Sequence, residues 1–168
     1  MTVRQKIVTL SFVLFFCTFD RATPATWEVL ESKKFQQWET SRNRNHTTDQ
    51  YFCAAQTSSK DGTYFRLNFY LDTKDAFLEF FNPKWKFRSG VVTFTMKVDD
   101  KLGIELRGKS WGNGYTHDFL EVEKMQIIVG VLLSGRSLTL INSNATKIGS
   151  FSLAGVKDAV RAWNECQS

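Results

Sequence analysis

Apolar and polar residues alternate one by one through much of this chain. Phe65, Leu67, Phe69 and Leu71 alternate with Arg66, Asn68 and Tyr70. Val92, Phe94, Met96 and Val98 alternate with Thr93, Thr95 and Lys97. A period of two predicts strands with one buried and one wet face. Asp99-Asp100-Lys101 reads as a turn, and Ile104 and Leu106 open a return strand, which makes a hairpin. Tyr51–Gln56 is a further strand, followed by a turn at Ser58–Gly62, where Asp61-Gly62 supplies the positive φ of a tight hairpin. Phe77–Phe81 is another, ended by Asn82-Pro83, because proline cannot donate to a ladder. Ser137–Asn142 and Ile148–Ser152 complete the strand set. Before Tyr51 the pattern fades: a short strand is expected at Trp27–Leu30, then a polar loop over residues 31–50 with Trp38 as its anchor.

Two segments read as helices. Val156, Ala159, Val160 and Trp163 stand at i, i+3, i+4 and i+7, one apolar stripe near the C-terminus. Phe119–Leu133 reads as an internal helix capped by Asp118, with Gly135 at C′. Strands outnumber helices and follow one another as hairpins. The expected fold is therefore α+β to mainly β: an antiparallel sheet or β-sandwich with an internal helix and a C-terminal amphipathic helix.

The first 25 residues do not fit that domain. Arg4 and Lys6 precede an uncharged apolar run, Ile7–Phe19, and Thr23-Pro24-Ala25 places small residues at the −3 and −1 positions of a cleavage site. This is the order of a secretory signal peptide. The run is short of the ~20 residues that span a bilayer, so no transmembrane span is expected in the mature form. Residues 26–168 then form a single β-rich domain, secreted or periplasmic. The bulky Phe15-Phe16 before Cys17 does not suit a lipidation site, so Cys17 is expected to leave with the signal. The full chain is +5; the segment holds Arg4, Lys6 and Arg21 against Asp20, which leaves the mature domain at +3. Its cations are scattered and form no stripe, which does not suit nucleic acid.

Cys53 and Cys166 remain, and in an oxidising compartment they read as one disulfide that pins the C-terminal helix to the sheet. Asn45-His46-Thr47 and Asn144-Ala145-Thr146 are glycosylation acceptors if the source is eukaryotic.

Catalytic chemistry is thinly represented. Gly103–Ser110 fits G-x-x-x-x-G-K-[ST], yet Trp111-Gly112-Asn113-Gly114 follows where a helix must start, so no nucleotide is expected. Ser110, His117 and Asp49 or Asp118 can be assembled on paper into a triad, but there is no G-x-S-x-G elbow. The two histidines, 46 and 117, offer no metal-ligand spacing, and neither metal nor cofactor is expected. The candidate binding loop is Trp111–Tyr115, where Trp111 and Tyr115 flank Gly-Asn113-Gly and could stand outward to stack on a sugar or anchor a protein. The competing reading has Trp111 closing one end of the core.

The C-terminal order is an apolar helix, Ser134-Gly135, the strand Leu138–Asn142, then Ile148-Gly-Ser-Phe-Ser-Leu-Ala-Gly155 and a helix with Ala159 and Cys166. Over about the last 50 residues it resembles small secreted bacterial proteins of the invasion-associated locus B type. The resemblance implies a periplasmic or surface-associated bacterial protein with no catalytic residues to assign. The expected function is accordingly a non-enzymatic binding protein of the bacterial envelope with a protein or glycan partner. Two alternatives stand beside it: a small extracytoplasmic hydrolase using His117, and an inhibitor or immunity-type protein acting through the Trp111–Tyr115 loop.

Overall fold

The computed structural model describes residues 27–101 and 103–168. The proposed export segment, with Cys17 in it, lies outside the described residues. The described residues form ten strands and two helices: β1 (Trp27–Phe35), β2 (Trp38–Asn45), β3 (Tyr51–Ser58), β4 (Tyr64–Tyr70), β5 (Ala76–Phe81), β6 (Gly90–Val98), β7 (Ile104–Ser110), β8 (Gly114–Leu120), α1 (Val122–Leu133), β9 (Ser137–Asn142), β10 (Lys147–Ser152) and α2 (Val156–Cys166). The strands form one antiparallel sheet in the order β1-β2-β3-β4-β5-β8-β7-β6-β9-β10, curled into a half-barrel. The sheet, not the sandwich, is the architecture, and the β-rich expectation with two helices holds.

Alternation assigns the two faces. Phe65, Leu67, Phe80, Phe94, Met96 and Leu140 are each buried to within a few per cent and line the inner face. Their rings interlock: Phe65 stacks on Phe80 with centroids 5.0 Å apart, and Phe94 meets Tyr115 edge-on at 4.4 Å. The stripe on α2 closes one side of this core. Val156, Ala159, Val160 and Trp163 are buried, and α2 packs across β2 and β3. Thr40 Oγ1 donates to the Ala159 carbonyl at 3.0 Å, and Trp163 meets Phe69 edge-on at 6.2 Å. The Cys53–Cys166 disulfide is present, with Cα atoms 6.0 Å apart across a sequence separation of 113. Gly155 starts α2 at φ 90°, and a Cβ there would lie 2.0 Å from the Phe35 carbonyl oxygen, so only glycine fits.

Three local expectations are corrected. Residues 31–50 are not a loop after a short strand: Trp27–Phe35 and Trp38–Asn45 pair as a hairpin, turning at Gln36 (φ 55°). The hairpin lacks an alternating pattern because β1 is exposed nearly throughout as the sheet edge. Asp118 does not cap α1. It lies within β8, whose ladder with β5 runs to Leu120↔Ala76, and α1 starts behind Glu121 without a side-chain cap. Gly135 does follow the α1 C-cap, Ser134, but for a steric reason: a Cβ would sit 2.0 Å from Val98 Cγ1.

The half-barrel leaves a seam beside β10. Trp38 Nε1 donates to the Ser152 carbonyl at 3.0 Å and Thr63 Oγ1 to the Ile148 carbonyl at 3.4 Å, so side chains from β2 and the β3–β4 turn occupy part of that edge. No helix among the described residues is long and apolar enough to cross a membrane.

Candidate functional site

The sheet pairing splits the Trp111–Tyr115 loop between two faces. Tyr115, paired with Phe80, points inward and is fully buried. The picture of two outward aromatics is therefore corrected, because Gly114 and Tyr115 are consecutive in β8 and successive strand positions face opposite sides. Trp111 remains outside at 44% exposure. It does not cap the core. Its indole lies over Gly114, where a Cβ would come within 2.0 Å of Cζ2, and Nε1 donates to Thr116 Oγ1 at 2.9 Å. Asn113 lies at the tip of the turn, its carbonyl accepting from the Asn82 N–H at 3.0 Å. Gly112 (φ +87°) supplies the left-handed residue of this turn.

The fixed indole ends an aromatic row on the outer face. Trp111 lies nearly parallel to Phe81, with centroids 5.7 Å apart and planes 10° apart. Phe81 faces Tyr64 across the β4–β5 ladder at 6.2 Å, and Tyr64 is itself 44% exposed. Sequence reasoning missed Tyr64 and Phe81. The signal was present in the β4 and β5 alternation, but only the pairing Tyr64↔Phe81↔Gly114 lines them up.

Two residues along the same face, about 7 Å away, runs a polar row. Its register is Glu39↔Gln56↔Arg66↔Glu79↔Thr116. Arg66 Nε donates to Gln56 Oε1 at 3.0 Å and its guanidinium stands 3.8 Å from Glu79. Asn68 Nδ2 donates to Glu79 Oε2 at 3.1 Å, and Gln56 Nε2 to Glu39 Oε2 at 3.4 Å. Arg66 also lies over the Trp27 ring, 5.4 Å from its centroid. Partial burial pushes the Glu79 carboxyl above its ordinary range, opposed by Arg66 and the Asn68 amide. Burial likewise raises the Tyr70 phenol, with the charge of Glu79 adding to the effect. The chain thus presents an aromatic strip edged by hydrogen-bonding side chains held in place by one another. Such a surface can stack on a ring and bond its hydroxyls.

With Asp49 the paper triad does not assemble. Asp49 sits in the β2–β3 turn, bonded to Arg44 at 2.7 Å. His117 is on β8, separated from β3 by β4 and β5, about 14 Å across the sheet at normal strand spacing. Ser110 is buried and its hydroxyl donates to the Arg88 and Gly90 carbonyls. After Gly103 the matched segment is β7, which passes into the turn before β8, with no helix N-terminus to cradle phosphate. Gly108 is required there because a Cβ would meet the Thr116 carbonyl oxygen at 2.1 Å. Among the described residues no cluster of three His, Cys, Asp or Glu side chains comes together that could hold a metal. No family model, curated protein or solved structure matches this chain.

Proposed function

We propose that the protein is an exported, non-enzymatic binding protein of the bacterial envelope that takes a glycan on the outer-face row Trp111–Phe81–Tyr64. The observation that carries this reading is the Trp111 indole, exposed yet held flat by Gly114, Phe81 and the bond to Thr116. A ring immobilised before binding loses little freedom on contact, which is what makes an aromatic surface effective. The Gln56–Arg66–Glu79 row supplies donors and acceptors at its side. Export is supported by the n-region, apolar run and cleavage pattern of residues 1–25 and by a disulfide suited to an oxidising compartment. The C-terminal resemblance to invasion-associated locus B proteins points to the same compartment.

The test is binding of the mature protein to immobilised peptidoglycan and envelope polysaccharide, alongside Trp111→Ala. About tenfold or greater weakening of the variant is expected. Equal retention of both proteins would sink the reading. Loss of a one-to-one complex with an envelope enzyme in the same variant would favour the inhibitor reading instead.

A further inference from the structure

We propose that the glycan is acidic, and that its carboxylate-bearing sugars enter the cationic seam between β10 and the β1–β2 and β3–β4 turns. This rests on the binding reading above and names its ligand class. The seam is a cleft of about 930 Å³. Lys60, Arg136 and Lys147 line it, together with Gln36, Gln37 and Ser150. None of the three cations has an ion-pair partner among the described residues. The carboxylate in its lining, Asp61, is engaged within its own turn by the Ser59 hydroxyl and the Thr63 N–H. The lining therefore sets three cations against one carboxylate, an excess of positive charge beside hydroxyls and amides that suits a polyhydroxylated anion.

The backbone decides against a peptide. Ile148, Ser150 and Ser152 share the β10 edge that faces away from β9. An added strand needs successive free groups on such an edge. The carbonyls of Ile148 and Ser152 already accept from Thr63 and Trp38, which brackets Ser150 between two occupied positions. What is left is a short bay, too brief for a ladder and open to a small polar group.

The seam also adjoins the aromatic row. A second, smaller concavity of about 230 Å³ shares Gln36, Gln37 and Ser58 with the seam and reaches Tyr64. Ser58 pairs directly with Tyr64. A linear ligand stacked on Trp111, Phe81 and Tyr64 is thus led over Ser58 into the cations.

The test compares tetragalacturonate with its methyl-esterified form, binding each to the disulfide-bonded mature protein by calorimetry at low salt. The acid is expected to bind about tenfold more tightly, with the preference shrinking as salt rises. The exposed triple substitution Lys60→Gln, Arg136→Gln, Lys147→Gln should abolish that preference and leave binding of the ester intact. Trp111→Ala should weaken both probes. Equal affinity for acid and ester, or a preference that survives the triple substitution, overturns the seam proposal and leaves the aromatic reading standing. A preference that depends on the three cations while Trp111→Ala changes neither probe overturns the aromatic reading alone. Binding of neither probe overturns both.

Discussion

Trp163 donates its indole N–H to the carbonyl of Cys53, 3.1 Å away, one turn of α2 before Cys166 closes the disulfide to that same Cys53. One strand residue is thus held by α2 through backbone and side chain at once. The two links act on different states. The hydrogen bond satisfies a buried carbonyl in the folded chain, whereas the bridge removes freedom from the unfolded one. Trp163→Phe keeps most of the ring packing and removes one bond to a carbonyl that also faces the β3–β4 ladder, so a loss of about 0.5–1.5 kcal/mol is expected. Opening the bridge with Cys53→Ser plus Cys166→Ser is expected to cost about 4–5 kcal/mol. Urea unfolding of the two variants measures both, and a bridge variant as stable as the parent would show that the disulfide adds nothing to the hydrogen bonds and packing that hold α2.

Gly114 and Trp111 make a second dependent pair. A Cβ at position 114 would lie inside the indole. Gly114→Ala should therefore lift the ring from the sheet, break its bond to Thr116, and cost about 1–3 kcal/mol. In a Trp111→Ala background the same substitution meets no ring and should cost much less. The comparison is a double-mutant cycle read by thermal melts, with the Trp111 indole proton resonance reporting whether the ring has moved. Additive losses would mean that the indole does not rest on Gly114.

Asp99 clasps the turn after β6 to the start of β9. Its carboxylate accepts from the backbone N–H groups of Arg136 at 3.0 Å and Ser137 at 2.9 Å, and from the Ser137 hydroxyl at 3.1 Å. These bonds, the Arg136 N–H first, hold its carboxyl below the ordinary carboxylate range. A lowered folded pKa means that the unfolded chain takes up the proton first. The contribution is complete above the unfolded value, about 3.9, and is lost as pH falls through the lower folded value. Asp99→Asn should therefore melt at a lower temperature than the parent near neutrality, and the gap should narrow in strong acid. Melting curves across that range check it; a gap independent of pH would remove the carboxylate as its cause.

Legibility followed burial. Strands with one wet and one buried face announced themselves, as in Phe65–Leu71 and Val92–Val98, and the α2 stripe did so by its spacing. The β1–β2 hairpin did not, because an exposed edge strand such as WEVLESKKF has no buried face to impose a period. The start of α1 was misread for a related reason: Asp118 suits a cap, but ladder pairing with β5 outweighed that local preference. Of the candidate site, Trp111 could be picked out in the chain, while its neighbours could not. Tyr64 and Phe81 are far from Trp111 in sequence and meet it only across β4, β5 and β8.

The sequence by itself determined the antiparallel, β-rich character, the amphipathic closing helix and the cysteine pair, since each depends on local period or, for the cysteines, on the two that lie outside the proposed export segment. Tertiary structure alone decided which side of the sheet Trp111 and Tyr115 occupy, which aromatics stand in one row, and that the half-barrel stays open beside β10. Those outcomes depend on strand order and register, where a shift of one residue exchanges the two faces and no local pattern records which strand lies next to which.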